Sequence, residues 1–233
     1  MGRAGNEEGR NHVIRVVGIG PGNPAYIVPA AAAAIRDAGV LVGGRRALAQ
    51  FARDDGRKQM AITRDIDGVL AFIRESLDSE DVVVMVSGDP GYYSMLDALR
   101  RTFPTERIRV IPGISAMQLA FSRIALPWHG AHLLSFHGRV PERAAYAYET
   151  GRVLGMLTDA KHTSHTIPAL LMEAGWKRDA RLYVCAHLSY EDERIVRTTL
   201  GEAAKLDEVA SGILIVTDEE VRGWDGLGSR MKH

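Results

Sequence analysis

The sequence predicts an α/β fold in two domains, with a mostly parallel sheet in the N-terminal half and a mixed sheet in the C-terminal half. Three observations support this prediction: β-branched runs that lead into glycine, alanine-rich or periodic helical stretches between those runs, and a change of pattern after residue 126. Strands that alternate with helices are typical of parallel sheets, because two parallel neighbours need a crossover connection.

The N-terminal half repeats a strand, a loop and a helix in regular order. Val13–Ile19 is a β-branched run that leads into glycine, which predicts a buried strand. Pro29–Ala38 is alanine-rich, has proline at its first position and is followed by Gly39, which predicts a helix. The same criteria predict strands at Val40–Val42, Val82–Val86 and Ile108–Ile111, and helices at Ile66–Leu77, Ser94–Arg101 and Ser115–Ile124.

A domain boundary is predicted near Leu126-Pro127-Trp128, where a proline ends a helix and a polar turn follows. The predicted domains are therefore residues 12–126 and 127–220. A hairpin-like order near Arg194–Leu200 makes the second sheet mixed. The other predicted elements of this half are strands at Leu133–Phe136, Val153–Leu157, Leu182–Ala186 and Ile213–Val216, and helical stretches at His165–Glu173 and Glu202–Lys205.

The composition argues against several classes of partner. The 233-residue chain has 29 Lys plus Arg and 29 Asp plus Glu, and nucleic-acid binders usually carry a basic excess, so none is expected. No apolar stretch approaches the roughly 20 residues that span a bilayer, and Met1–Asn11 lacks the apolar core of a signal peptide.

The one cysteine, Cys185, lies in an apolar run, which predicts a buried thiol in a reducing cytosol. We expect a cytoplasmic protein with disorder in about the first ten residues and in Gly223–His233.

Three glycine-rich turns follow predicted strands, and ligands of open α/β sheets gather beyond the carboxyl ends of strands. The first turn, Gly18–Gly22, lacks the third glycine of a dinucleotide fingerprint because Asn23 stands in its place. Pro21 also removes an N–H that a phosphate would need. A nicotinamide-dependent oxidoreductase is therefore disfavoured. The second turn is Ser87–Tyr93, in which Asp89 fits either a helix cap or a ligand contact, and the third is Ile111–Ala116.

The three turns, in this order, resemble those of the tetrapyrrole methylase family, whose members have a GxGPG loop, a GDP motif followed by an aromatic residue, and a PGxS/T turn. The resemblance extends from Val13 to Val216. It implies the two-domain tetrapyrrole methylase fold, S-adenosylmethionine as the cofactor and a homodimer. The cofactor-binding residues that it implies are Pro21, Ser87, Gly88, Asp89, Tyr92, Ser115, Ala116, Leu157 and Leu188.

Within the family, the sequence is most similar to the methyltransferases that act on C5 of cobalt-precorrin-7 in cobalamin biosynthesis. This likeness implies methylation of C5 on a corrin precursor, and a separate protein for C15 methylation and decarboxylation. Diphthine synthases and ribosomal-RNA methylases of the same family are alternatives, as is a non-catalytic tetrapyrrole-binding protein. The stretches that carry the likeness are Val42–Arg46, Leu119–Trp128, Ser135–Arg139, Leu157–Asp159 and Leu188–Ile195.

Three residues are candidates for handling the substrate. Arg45 and Arg139 fit the carboxylates of a corrin precursor, because a guanidinium pairs with a carboxylate through two hydrogen bonds. His137 is the candidate base that removes a proton after methyl transfer, or else it binds a carboxylate or packs in the cleft. No metal site is expected, since His162 and His165 lack matching cysteine or acidic ligands.

The sequence departs from the family pattern at three places. Gly44 stands where some relatives have an acidic residue that acts as a base, so that base does not carry over. Val28 stands where a threonine helix cap is usual, so we expect a helix without a side-chain cap. Ala186-His187 replaces a usual Glu-Asn pair, which affects cofactor contacts near Leu188.

Overall fold

The fold is taken from a computed structural model that describes residues 12–52 and 56–218. The segments predicted to be disordered, at the start of the chain and at Gly223–His233, lie outside the described residues. Contacts divide the chain after Ser115 into two compact units. The sequence places the boundary after residue 126, but the helix Ala116–Arg123 packs against the sheet of the second unit.

The first unit contains one parallel five-stranded sheet. Its strand order is β3-β2-β4-β1-β5, and every neighbouring pair runs parallel, as the sequence predicts. All the strands and helices predicted for the N-terminal half are confirmed, with ends shifted by a few residues, although the predicted helix Ser115–Ile124 belongs to the second unit. The elements are β1 Ile14–Gly18, α1 Pro29–Arg36, β2 Val40–Gly43, α2 Arg45–Phe51, β3 Lys58–Ala61, α3 Ile66–Ser76, β4 Val82–Val86, α4 Leu96–Thr102 and β5 Ile108–Ile111.

Helices cover both faces of this first sheet. On one face Val16 and Val84 pack in a cluster with side chains of α3 and α4, and on the other Val17 and Val83 pack with side chains of α1 and α2. Strands that are buried on both faces appear in sequence as continuous apolar runs, and all five residues of β4 are buried. Each fully buried valine or isoleucine contributes about 1.5–3 kcal/mol relative to an exposed one. The sheet therefore holds the turns at its strand ends on a rigid base.

The second unit contains a mixed five-stranded sheet, which confirms the predicted change of character. Its strand order is β6-β7-β10-β8-β9, with β6 parallel to β7 and the remaining pairs antiparallel. The elements are α5 Ala116–Arg123, β6 His132–Ser135, α6 Arg143–Tyr146, β7 Val153–Leu157, α7 Thr166–Glu173, β8 Arg181–Ala186, β9 Arg194–Thr199 and β10 Gly212–Thr217.

The core of the second unit depends on a close approach between α5 and β7. A Cβ atom on Gly155 would lie 2.6 Å from Sδ of Met117 and 2.8 Å from a ring carbon of Phe121, so only glycine allows this packing. Cys185 is fully buried, as the sequence predicts. None of the helices within residues 12–52 and 56–218 is long and apolar enough to cross a membrane.

Candidate functional site

The three glycine turns lie at one edge of the first sheet. They follow β1, β4 and β5, which are neighbours in the sheet and run in the same direction. Gly18 is in register with Val86, and Val17 is in register with Ile111, so the three strands end at nearly the same level. This edge is where parallel α/β sheets bind ligands.

The turns touch each other through their backbones. Gly88 donates its N–H to the carbonyl of Gly20 at 2.8 Å, and Gly20 donates back to Gly88 at 3.3 Å. A Cβ atom on Gly18 would lie 2.5 Å from the carbonyl oxygen of Gly88 and 2.6 Å from the nitrogen of Gly113, so no side chain fits there. Gly88 has a φ of 69°, a conformation that glycine adopts without strain. The glycines that identify the motif are therefore required for the turns to pack together.

Asp89 connects the second turn to the third. Its Oδ1 accepts the N–H of Gly91 at 2.8 Å, and its Oδ2 accepts the N–H of Gly113 at 2.9 Å. The sequence offers a helix cap or a ligand contact for this residue. In the structure both carboxylate oxygens accept backbone hydrogens of the turns. Asp89 therefore fixes the spacing of the two turns, whether or not it also contacts a ligand.

The other predicted cofactor residues of this unit occupy the same edge. Ser87 is exposed, Pro21 and Ser115 are buried, and Pro21 precedes Gly22, whose carbonyl accepts a hydrogen bond from Gln50 of α2 at 3.1 Å. Arg45 is exposed at the start of α2, just after β2, which neighbours β4.

Tyr92 has an unusual environment at this edge. Its hydroxyl oxygen is buried and has no hydrogen-bond partner among the described residues. Its ring packs edge-on against Tyr93, with 4.9 Å between the ring centroids. Burial raises the pKa of the Tyr92 phenol above its ordinary value, so the hydroxyl remains neutral. A neutral buried hydroxyl without a partner is available to a polar ligand.

The remaining predicted residues lie at one edge of the second sheet. Because β10 is antiparallel to both β7 and β8, the strands β6, β7 and β8 all run in the same direction. Their carboxyl ends carry the sequence-predicted residues His137 and Arg139 after β6, Leu157 at the end of β7 and Leu188 after β8. Ala116 is the first residue of α5 in the same unit.

The loop of residues 136–139 carries His137 and Arg139 and is held by short backbone contacts. Phe136 donates its N–H to Leu157 at 2.9 Å, and His137 donates its N–H to Oγ of Ser135 at 3.2 Å. The side chains of His137 and Arg139 are exposed and have no hydrogen-bond partner among the described residues. They are therefore available for binding a substrate.

The loop after β8 contains strained backbone on both sides of Leu188. His187 has a φ of 51° and Ser189 a φ of 74°, values that residues with a side chain rarely adopt. Glu193 stabilises this conformation, because its Oε2 accepts the N–H of Ser189 at 2.6 Å while its Oε1 lies 2.6 Å from Nε of Arg123. Backbone strain of this kind is concentrated at ligand-binding sites.

Two carboxylates hold these loops, Asp159 and Glu193, and both lie in stretches that resemble the family, although neither was predicted as a site residue. Asp159 accepts the N–H groups of Lys161 and His162, two and three residues further along the chain. An aspartate in a polar turn commonly accepts hydrogen bonds from the backbone just beyond it. The polar residues that follow Asp159 were therefore a sequence signal for this role. Glu193 gives no comparable signal, because it follows its loop partner Ser189 by four residues and its ion-pair partner Arg123 is 70 residues away.

The structure defines a class of protein: an α/β chain of two units, one with glycine turns and the other with polar loops at the carboxyl ends of its strands. The family model described as Tetrapyrrole (Corrin/Porphyrin) Methylases matches residues 13–204. The chain therefore belongs to the tetrapyrrole methylase family.

Individual relatives agree with this assignment. A cobalt-precorrin-7 C(5)-methyltransferase from Salmonella typhimurium is 34% identical over 183 residues, which is 78% of this chain and 89% of the relative. The solved structure of a precorrin-6Y methylase of cobalamin biosynthesis from Archaeoglobus fulgidus is similar, with a TM-score of 0.68 and 25% identity over 90% of this chain and 100% of that one. A uroporphyrin-III C-methyltransferase from Thermus thermophilus, solved with S-adenosylhomocysteine, shares the fold, with a TM-score of 0.68 and 21% identity over 88% of this chain and 97% of that one.

Proposed function

We propose that this protein is an S-adenosylmethionine-dependent C-methyltransferase that methylates C5 of cobalt-precorrin-7. The observation that carries the proposal is the 34% identity to the Salmonella C(5)-methyltransferase across 89% of that enzyme. The diphthine synthase and ribosomal-RNA methylase alternatives have no comparable support. The glycine spacing around Asn23 disfavours nicotinamide chemistry.

The residues of the first unit fit the proposed cofactor. The three turns contain no lysine or arginine, and their one carboxylate belongs to Asp89, so a sulfonium cation would meet no like charge there. The exposed hydroxyl of Ser87 and the neutral hydroxyl of Tyr92 fit the hydrogen-bonding groups of an adenosine or a methionine tail. In the second unit, Leu157 and the buried Leu188 offer apolar contacts. S-adenosylhomocysteine in the related Thermus structure supports the same choice of cofactor.

The proposed mechanism requires the protein to bind and orient the cofactor and the corrin precursor, more than to activate either of them. S-adenosylmethionine supplies an electrophilic methyl group when bound. Holding two reactants in line contributes up to roughly 7–11 kcal/mol in well-oriented cases. We propose that Arg45 and Arg139 bind peripheral carboxylates of the corrin precursor. His137 then accepts the proton that leaves C5 after the new carbon–carbon bond has formed.

Two further features complete the proposal. The protein works as a homodimer in the cytoplasm, by likeness to the family. A separate protein carries out C15 methylation and decarboxylation. Sedimentation or light scattering of the purified chain tests the homodimer directly.

The proposal is tested by turnover of defined substrates. Purified protein is incubated with S-adenosylmethionine and either cobalt-precorrin-7 or its metal-free counterpart, and the products are examined by mass spectrometry and NMR. We expect one added methyl group at C5 in at least one incubation. Binding of the precursor without methylation would indicate a non-catalytic tetrapyrrole-binding protein.

Variants of His137 and Arg139 test the assigned roles. Arg139→Ala should weaken substrate binding by about 1.5–3 kcal/mol through the loss of a charge-assisted pair. His137→Asn should lower kcat by about 10²–10⁴-fold with little change in affinity if the imidazole acts as the base. Steady-state kinetics of both variants separate KM from kcat. Retention of most turnover by His137→Asn would mean that the imidazole only binds or packs.

A further inference from the structure

Asp159 contacts the middle of the loop that carries both candidate substrate residues. Its Oδ2 accepts the N–H of Gly138 at 2.7 Å, and Gly138 lies between His137 and Arg139. We infer that Asp159 is a positioning residue for the corrin substrate, which acts by fixing the loop of residues 136–139. The inference rests on the proposed function, because it assigns to Asp159 the task of presenting those two side chains.

The carboxylate of Asp159 is itself held in place. Its Oδ1 accepts the N–H groups of Lys161 and His162 at 2.8 and 2.7 Å, and lies 3.0 Å from Nδ1 of His162. The N–H of Gly138, followed by those of His162 and Lys161, keeps the pKa of Asp159 below its ordinary value. The group therefore remains a carboxylate at neutral pH, with both oxygens able to accept.

The segment that bears Asp159 is anchored to the sheet. The neighbouring Thr158 is buried, and its Oγ1 accepts the N–H of Gly212, the first residue of β10, at 2.8 Å. Thr158 donates its own N–H to the carbonyl of Gly212 at 3.2 Å. Asp159 is therefore fixed relative to β7 and β10, so its bond to Gly138 ties the loop to the sheet.

The loop has few other constraints. Among the described residues, the backbone hydrogen bonds of residues 137–139 go to Ser135 and Asp159 alone. Gly138 has a φ of 78°, and a Cβ atom built on it would meet nothing within 4 Å. No packed neighbour therefore confines Gly138 on the side where a side chain would stand. Without Asp159, the buried Phe136 would still anchor the start of the loop, but beyond it only the hydrogen bond from His137 to Ser135 would remain.

Asp159→Ala and Asp159→Asn test the inference by two independent measurements. We expect amide hydrogen exchange in residues 137–139 to accelerate, and KM for cobalt-precorrin-7 to rise by about tenfold or more, the loss expected for one hydrogen bond to a charged group. The Kd for S-adenosylhomocysteine should not change. Asp159→Asn should be intermediate, because an amide has one accepting oxygen in place of two.

Asp218 provides a matched control in the same unit. Its carboxylate also holds a glycine turn, since it accepts the N–H of Gly151 at 3.1 Å and the hydroxyl of Tyr148 at 2.8 Å. These residues lie at the opposite edge of the sheet, where β7 begins and β10 ends. Asp218→Ala should therefore lower stability without changing exchange in residues 136–139 or the substrate KM.

Gly138→Ala keeps the inference testable if the alanine variant of Asp159 fails to fold. Its Cβ meets no neighbour, so the left-handed φ is penalised and the effect is confined to the loop. We expect the same rise in KM with unchanged binding of S-adenosylhomocysteine.

The inference is overturned if folded Asp159 variants show unchanged exchange or unchanged KM, or if Asp218→Ala has equal effects. If the wild-type protein does not methylate cobalt-precorrin-7, the proposed function fails, while the exchange measurement still decides whether Asp159 fixes the loop.

Discussion

Asp89 and Asp159 show what a single residue contributes that its sequence context does not reveal. The motif around Asp89 indicates a functional turn, yet one of its hydrogen-bond partners, Gly113, is 24 residues further along the chain. Asp159 likewise bonds Gly138, 21 residues before it. A motif can identify such residues, but their partners depend on which turns the fold brings together. The glycine turns and Asp89 could be predicted from sequence, whereas the bonds of Asp89 to Gly113 and of Asp159 to Gly138 could not.

Replacement of Asp89 tests this role at the scale of one residue. In Asp89→Asn a single accepting oxygen remains, so either Gly91 or Gly113 loses its bond. The free energy of unfolding should fall by about 1–3 kcal/mol. The Kd for S-adenosylhomocysteine should rise, because the spacing of the second and third turns is no longer fixed. Urea denaturation and titration calorimetry measure the two effects. Asp78→Asn, at an exposed aspartate, is the control. A lowered stability with an unchanged Kd would show that this spacing does not matter for the cofactor.

At the scale of the element, burial decided which strands and helices could be predicted. Strand β4 is buried at all five positions, and the sequence predicts its ends correctly. Strand β3, Lys58–Ala61, lies at the edge of the sheet, has no buried residue and contains no β-branched side chain, so its sequence carries no strand pattern. Helix α2, Arg45–Phe51, has seven residues and no side-chain cap, so it also lacks a start signal. The four-residue helix α6 was missed because it is a single turn.

The start of α1 offers a test of helix capping. Val28 precedes Pro29 and makes no side-chain capping bond, which confirms the expectation from the missing threonine. Val28→Thr adds an oxygen that can accept the N–H of Ala30 while nearly preserving the side-chain shape. The free energy of unfolding should rise by about 0.5–1 kcal/mol, measured by urea denaturation. Val28→Ser supplies the same cap with less apolar contact and should gain less. Val28→Ala supplies no cap and should lower stability, since Val28 packs against the α1 cluster. Equal stabilities of the threonine and alanine variants would contradict a capping effect.

At the scale of the whole molecule, each unit has its own sheet and core, and each carries predicted site residues at the carboxyl ends of strands that run in the same direction. The alternation of strand and helix made this arrangement predictable for the first unit. The mixed order of the second sheet follows from long-range pairing, such as that of β10 with both β7 and β8, which no local pattern specifies. The hairpin predicted near Arg194 corresponds to one antiparallel pair of the second sheet, β8 with β9.

The one cysteine of the chain allows the stability of the second unit to be followed separately. Cys185 is fully buried in β8, and burial, with a smaller effect of Glu193, raises the pKa of its thiol from 9.0 to about 12. The folded state therefore keeps the proton at pH values where the unfolded state loses it. Since the unfolded state then binds fewer protons, stability falls as pH rises between about 9 and about 12.

We expect Cys185 to resist thiol reagents at pH 9 until the second unit opens, so its labelling rate should follow urea unfolding of that unit. The free energy of unfolding should decrease by up to about 1.4 kcal/mol per pH unit more steeply in the wild type than in Cys185→Ala across this window. Tryptophan fluorescence gives an independent signal, because Trp128 and the buried Trp176 belong to the second unit. Subtracting the two pH profiles removes the titration of tyrosines and lysines common to both proteins. Rapid labelling without denaturant, or parallel pH profiles of the two proteins, would mean that the thiol is accessible in the folded state.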